Sequence, residues 1–142
     1  MQTELLHGTL TGEVIAAFYT VYGELGYGFS ESVYTRALAL ELYQRRVPVA
    51  REVSLGVRYK GVSVGTFRAD LVVADTVVVA IRAGQELCES ERFQLLNHLR
   101  CSGKEVGLLL HFGPRAVAKR VVASSGVSVT EPVGAGSSAA DA

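Results

Sequence analysis

The first part of the chain has apolar residues at helical spacing. The apolar positions of its first segment lie three or four residues apart: Leu10, Val14, Phe18, Val21 and Leu25. This spacing predicts a helix that the glycines of "LGYG" end near Gly26. A second helix is predicted from an N-cap at Ser30 to about Arg46. Its apolar stripe consists of Val33, Ala37 and Leu40.

The periodicity then changes from helical to alternating. In "EVSLGVRY", residues 52–59, apolar side chains occupy every second position, and "KG" leads into the strand "VSVGTFRADLVV", residues 62–73. Alternation predicts antiparallel strands with one face in water. The run "VVVAI", residues 77–81, is apolar throughout. Such a run is typical of a strand that is covered on both faces, so we expect it at the centre of the sheet.

A strand, helix, strand unit follows the central run. The segment "SERFQLLNHLRCSG" has Leu95, Leu96 and Leu99 at helical spacing and ends at Gly103, and "VGLLLHFG", residues 106–113, is a second wholly apolar strand. A crossover of this kind makes its two strands parallel. The segment "AVAKRVVAS" predicts a last edge strand. The fold class is therefore α/β, a mixed sheet flanked by helices with two N-terminal helices, an antiparallel meander and a β-α-β crossover.

Composition limits the classes of function. The chain has 142 residues, 49% hydrophobic, which predicts one domain over residues 1–123 and a flexible, low-complexity tail over residues 124–142. Its 14 basic and 14 acidic residues cancel, so a nucleic acid would have to be held by a local patch. No stretch is long and apolar enough for a membrane span. Cys88 and Cys101 lack CxxC spacing and are expected to be buried thiols, which favours a cytoplasmic protein.

Two charged residues interrupt the apolar strands. A two-residue turn would place Asp70 opposite Ile81, whereas a three-residue loop over residues 74–76 places Asp70 opposite Ala80 with Arg82 diagonal to it. In the second register the three positions share one face. Two carboxylates and a lysine there would form a hydrolytic Mg²⁺ site. This chain supplies one carboxylate, so we also expect Asp70 and Arg82 to form an ion pair that compensates both charges.

The segment "GFSESVY", with Gly28, Glu31 and Tyr34, resembles the motif of the GxxExxY family, which is assigned to the PD-(D/E)XK nuclease superfamily. The likeness extends over "VRYKG", "FRADLVV", "QLLNHL" and "VGLLLHFG". It implies a restriction-endonuclease-like fold and a Mg²⁺-dependent nuclease ancestry. By this resemblance Glu31 is the acidic residue of the first core helix, Asp70 the metal-binding aspartate, and Gln94 the glutamine of the helix that follows the core strands.

The chain differs from the family at two positions of the expected metal site. An acid, an apolar residue and a lysine are usual where it has Ala80, Ile81 and Arg82. Arginine keeps the charge but is never deprotonated, and alanine removes a metal ligand. The leading interpretation is a catalytically impaired nuclease-fold module that binds DNA, RNA or a protein partner. The alternatives are a Mg²⁺-dependent phosphodiesterase in which Glu31 or Glu86 replaces the missing ligand, and a self-associating structural domain.

Further residues are candidates for binding. Arg82 could clamp a phosphate, and Arg45 and Arg46 are candidate nucleic-acid contacts. Three side chains share one side of the third predicted helix, with Cys101 three residues further: Glu91, Gln94 and His98. This spacing permits a His and Cys metal pair, which is too few ligands for a structural zinc site. His111 is expected to be a packed or hydrogen-bonded residue rather than a base.

Overall fold

Three helices and five strands make up residues 7–123, the part of the chain that the computed structural model describes. In chain order the elements are α1 (Gly8–Leu25), α2 (Glu31–Gln44), β1 (Val49–Tyr59), β2 (Val62–Val73), β3 (Val77–Ala83), α3 (Glu89–Ser102), β4 (Val106–Phe112) and β5 (Ala116–Val122). The predicted elements are all confirmed. The predicted tail, residues 124–142, lies outside the described residues.

The five strands form one mixed sheet in the order β1-β2-β3-β4-β5. The β3 and β4 strands are parallel, and the other neighbouring pairs are antiparallel. The sheet therefore contains the expected meander, the crossover through α3, and the last strand at an edge. The apolar run of β3 lies at the centre, as predicted, because helices cover both faces of the sheet there.

Each face of the sheet packs against its own helices. One core joins α1 and α2 to the odd-numbered residues of β3, and the other joins α3 to the even-numbered ones. The predicted apolar stripe of α2 is wrong: Val33 and Leu40 are 38% and 56% exposed. The buried residues of this helix are instead Tyr34, Leu38 and Leu42. Apolar residues occur nearly all around α2, so periodicity alone did not identify the side that faces the sheet.

Residues with a left-handed backbone conformation, at positive φ, form the turns that set the strand register. Lys60 and Gly61 have φ of 52° and 80° and form a two-residue turn between β1 and β2. The loop from β2 to β3 has three residues, because Val73 pairs with Val77. The ammonium group of Lys104 donates to the carbonyl and the carboxylate of Asp75 in this loop, at 2.9 and 3.2 Å.

Two further predictions concern the surface. Cys88 and Cys101 are both exposed, so the expectation of buried thiols is wrong. They stand at the two ends of α3, Cys88 at its N-cap position and Cys101 in its last turn, where the sheet does not cover them. Among the described residues, no helix has the length and hydropathy needed to cross a membrane.

Candidate functional site

The β2 and β3 strands separate at Asp70. Their ladder consists of three pairs and ends where Leu71 meets Val79. The loop of three residues is as predicted, but Asp70 and Ala80, expected to pair, lie one position beyond the last paired residues. Arg82 lines the same cleft as Asp70 and Ala80, which confirms that the three positions come together. The separated strands leave the end of β3 open to side chains from three other elements.

The alternation of side chains along β2 breaks at Asp70. Leu71 packs in the core formed with α1 and α2, whereas Ala69 packs in the core formed with α3. Glu52, which the register of β1 places opposite Asp70, has a left-handed φ of 52°. This irregularity lets the Asp70 carboxylate reach the edge of β3, where its Oδ2 accepts a hydrogen bond of 2.8 Å from the backbone N–H of Ile81.

Glu31 reaches the same edge of β3 from the first turn of α2. Its Oε2 accepts a hydrogen bond of 3.2 Å from the backbone N–H of Ala83. In a regular sheet these edge amides would donate to carbonyl groups of a neighbouring strand. Here the carboxylates of Asp70 and Glu31 take the place of those carbonyls for Ile81 and Ala83, respectively. Both acids therefore stabilise the separated strand end, and Asp70 also lines the cleft.

The other residues of the "GFSESVY" segment hold Glu31 in place. Gly28 has φ of 126°, a conformation that side chains other than glycine rarely adopt. The Tyr34 hydroxyl donates to the carbonyl of Gly26 at 2.5 Å and accepts from the N–H of Phe29 at 3.2 Å. Its ring stacks on Phe112 of β4 at 3.9 Å between centroids. The three motif positions thus fix the loop between α1 and α2 against the sheet.

Arg82 lies between two carboxylates. Its Nη1 donates to Asp70 Oδ2 at 3.3 Å and to the carbonyl of Ile81 at 2.7 Å, and its Nε donates to Glu91 Oε1. The predicted ion pair with Asp70 is confirmed. Burial disfavours the guanidinium charge, but the hydrogen bond to Glu91 and the charges of Glu91, Asp70 and Glu31 outweigh burial and raise the Arg82 pKa above its usual range. Arg82 is a fixed internal cation.

The contact of Glu91 with Arg82 was not predicted from the sequence. A signal was present, since Glu91 precedes Gln94 by three residues and therefore occupies the same side of α3. The prediction that Glu91, Gln94 and His98 share one side is confirmed, because all three line the cleft. The cleft has a volume of about 50 Å³, enough for a few water molecules at roughly 10–15 Å³ each.

Two histidines flank this region. His98 stacks on Phe67 at 3.7 Å between ring centroids, and burial together with the Arg82 charge lowers its pKa. His111 neighbours Arg82 in the ladder between β3 and β4 and is 4% exposed. Burial lowers the His111 pKa despite a hydrogen bond to the backbone of Gly84 and the nearby charges of two glutamates. His111 is a packed residue, as expected from the sequence.

The donor set does not fit a Mg²⁺ ion. Asp70 accepts from Ile81 and Arg82, Glu91 is paired with Arg82, and Glu31 accepts from a backbone amide. Mg²⁺ requires near-octahedral oxygen ligands, and a guanidinium between the carboxylates opposes a second cation. No group of three His, Cys, Asp or Glu residues within residues 7–123 has an arrangement suited to a metal ion. Glu86 is exposed in the loop before α3 and is not part of the cleft lining.

The structure separates Arg45 and Arg46 from Arg82. Arg45 follows the C-terminal end of α2, and Glu31 begins this 14-residue helix, so the two ends lie about 20 Å apart. The Arg45 side chain donates to carboxylates of α1 and α2 and to a threonine of α1: Glu13, Glu41 and Thr20. These contacts raise the Arg45 pKa, first through its hydrogen bond to Glu41. Arg45 connects two helices, and Arg46 is exposed beside it.

Comparisons with known proteins agree with this architecture. The sequence model of the PD-(D/E)XK nuclease superfamily matches residues 8–122. No curated protein sequence matches the chain. The crystal structure of SSO0001 is similar, with a TM-score of 0.50 and 17% sequence identity over 82% of this chain. The match covers 60% of SSO0001, and at this identity the likeness shows the fold alone. The predicted restriction-endonuclease-like α/β fold is confirmed.

Proposed function

Because the chain belongs to the PD-(D/E)XK nuclease superfamily and Arg82 lies between two acids of its cleft, we propose that it binds nucleic acid without cleaving it. The observation that supports this proposal is the contact of Arg82 with both Asp70 and Glu91. A guanidinium is never deprotonated in proteins, so it compensates these charges permanently. A divalent cation would have to displace it. The protein thus combines a nuclease fold with a cleft that disfavours the metal.

The proposal that the protein binds nucleic acid rests on its membership of the superfamily. Membership of the narrower GxxExxY family is also proposed, on the contacts that Gly28, Glu31 and Tyr34 make. Function depends on the site rather than the fold, and the site here has Ala80 at the position of a usual metal ligand. We therefore propose that the protein binds nucleic acid and does not cleave it. We also propose a cytoplasmic location, because Cys88 and Cys101 are free thiols, as is usual in a reducing compartment.

The test measures binding and cleavage in one experiment. Labelled single-stranded and duplex DNA and RNA are incubated with the protein, with and without Mg²⁺ or Mn²⁺, and bound and cut fractions are measured. We expect binding without cleavage. In the Ala80→Glu, Arg82→Lys double variant we expect Mg²⁺ affinity to rise, because a carboxylate returns and the planar guanidinium leaves.

Two results would contradict the proposal. Metal-dependent cleavage by the unchanged protein that disappears in the Asp70→Ala variant would show an active phosphodiesterase. Absence of binding to every nucleic acid, together with a larger particle in light scattering, would favour the self-associating or protein-binding module instead.

A further inference from the structure

The end of the β1–β2 hairpin projects beyond both cores. We call residues 58–66 the hairpin tip, and every one of them is exposed. The strands remain paired there, with Arg58 opposite Ser63 and Tyr59 opposite Val62. The Arg58 guanidinium donates to the carbonyl of Gly61 at 3.0 Å and so closes the turn. The tip is a defined two-stranded ribbon with both faces in water.

The hairpin has an unbalanced charge. Between Val53 and Ala69 the sequence contains Arg58, Lys60 and Arg68 and no acidic residue. Four cations elsewhere in the described chain are paired with carboxylates: Arg45, Arg82, Arg92 and Lys104. Within residues 7–123 the three hairpin cations have no carboxylate partner. This local excess of three positive charges in a chain of zero net charge indicates an anionic partner.

The cleft is a poor alternative place for phosphates. Asp70 and Glu91 line it against the single charge of Arg82, and the charge of Glu31 also acts on Arg82. Two nitrogen atoms of that guanidinium already donate to carboxylates, so a phosphate would have to compete with those carboxylates. Binding of nucleic acid through the cleft would bring like charges together. The hairpin tip avoids this conflict.

We propose that the hairpin tip binds duplex DNA by entering the major groove, where Arg58 and Lys60 contact phosphates. The major groove of B-form DNA is about 12 Å wide and admits a two-stranded ribbon.

Apolar side chains at the tip suit the same partner. Tyr59, Val62 and Val64 are 63%, 62% and 60% exposed. The ammonium group of Lys60 lies 5.4 Å from the centre of the Tyr59 ring. Apolar contact with thymine methyl groups is available only in the major groove. This inference rests on the proposed binding of nucleic acid and specifies the surface and the substrate class.

The experiment compares two variants of equal charge. The Arg58→Ala, Lys60→Ala variant removes two cations from the tip, and the Arg36→Ala, Arg100→Ala variant removes two exposed cations from α2 and α3. Affinity for a duplex DNA is measured by fluorescence anisotropy at several salt concentrations. Loss of two phosphate contacts should reduce the logarithmic salt slope by about 1.8 and the affinity at about 0.1 M salt by roughly 60-fold.

The control variant and an Arg58→Lys, Lys60→Arg variant should bind like the unchanged protein, and circular dichroism confirms that each variant is folded. Equal binding by the tip variant and the unchanged protein would overturn the hairpin assignment and leave the proposed function standing. So would an equal loss in the control variant, or tighter binding of single strands or RNA than of duplex DNA. No binding by the unchanged protein would overturn both. A tip variant that changes particle size and not DNA affinity would identify self-association.

Discussion

Replacing Arg82 with methionine tests the internal cation directly. Methionine is unbranched and fills part of the same space, so Arg82→Met removes mainly the charge and the hydrogen bonds. Asp70 keeps its bond from Ile81, whereas Glu91 loses its partner. The side chains of Arg82, Asp70 and Glu91 are 25%, 36% and 27% exposed, between surface and buried pairs.

The expected loss of stability follows from this intermediate exposure. Exposed pairs contribute at most about 1 kcal/mol, and breaking a buried pair costs about 3–5 kcal/mol. We expect a decrease of about 2 kcal/mol in the free energy of unfolding of the Arg82→Met variant. For a domain of this size, about 4 °C per kcal/mol gives a decrease of about 8 °C in Tm.

Magnesium should then distinguish this variant from the unchanged protein. Without the guanidinium, the carboxylates of Asp70 and Glu91 lose the cation between them and attract a divalent ion. With about 10 mM Mg²⁺ and a Kd near 1 mM, binding stabilises by about 1.4 kcal/mol, which raises Tm by roughly 5 °C. The assay is thermal unfolding with and without Mg²⁺.

The unchanged protein and an Arg82→Lys variant, which keeps a cation, should show no such rise. The reasoning is refuted if Arg82→Met is as stable as the unchanged protein, or if Mg²⁺ stabilises the unchanged protein equally.

Three further predictions concern other contacts. Burial lowers the pKa values of His98 and His111, so the free energy of unfolding should fall as pH drops below about 6.5, and His98→Gln with His111→Asn should flatten this dependence in urea titrations. Tyr34→Phe should cost about 1–3 kcal/mol by leaving two backbone groups unpaired, measured by chemical denaturation. Arg45→Ala should lower Tm slightly through lost contacts between α1 and α2, and leave DNA affinity unchanged.

Most of the fold could be predicted because local signals agreed with the tertiary structure. The wholly apolar runs of β3 and β4 identified the strands that helices cover on both faces, and glycines ended α1 and α3. The buried side of α2 could not be predicted from periodicity. Its choice depends on Tyr34, whose ring stacks on Phe112 and whose hydroxyl bonds to the preceding loop, and these are contacts between distant segments.

Contacts that depend on strand register could be predicted from the sequence. Contacts that depend on how far a side chain reaches from another element could not. The three-residue loop between β2 and β3 was predicted correctly, and so was the ion pair of Asp70 with Arg82. The second partner, Glu91, comes from a different element, and its position depends on how α3 lies across the sheet. Sequence spacing indicated that Glu91, Gln94 and His98 share one side of α3. It gave no information about the distance of that side from β3.

The two departures from the family pattern are physically connected. Arginine is longer than lysine and presents a planar fork, which lets Arg82 reach Asp70 and Glu91 together. Ala80 lines the same cleft and adds no charge. A glutamate at position 80 would add a third carboxylate to the cleft beside Asp70 and Glu91, and the single guanidinium would leave more charge uncompensated at a partly buried edge. The absence of that carboxylate therefore reduces the negative charge of the cleft, and the arginine pairs with both acids that remain, so the site has less need of a metal ion to be stable.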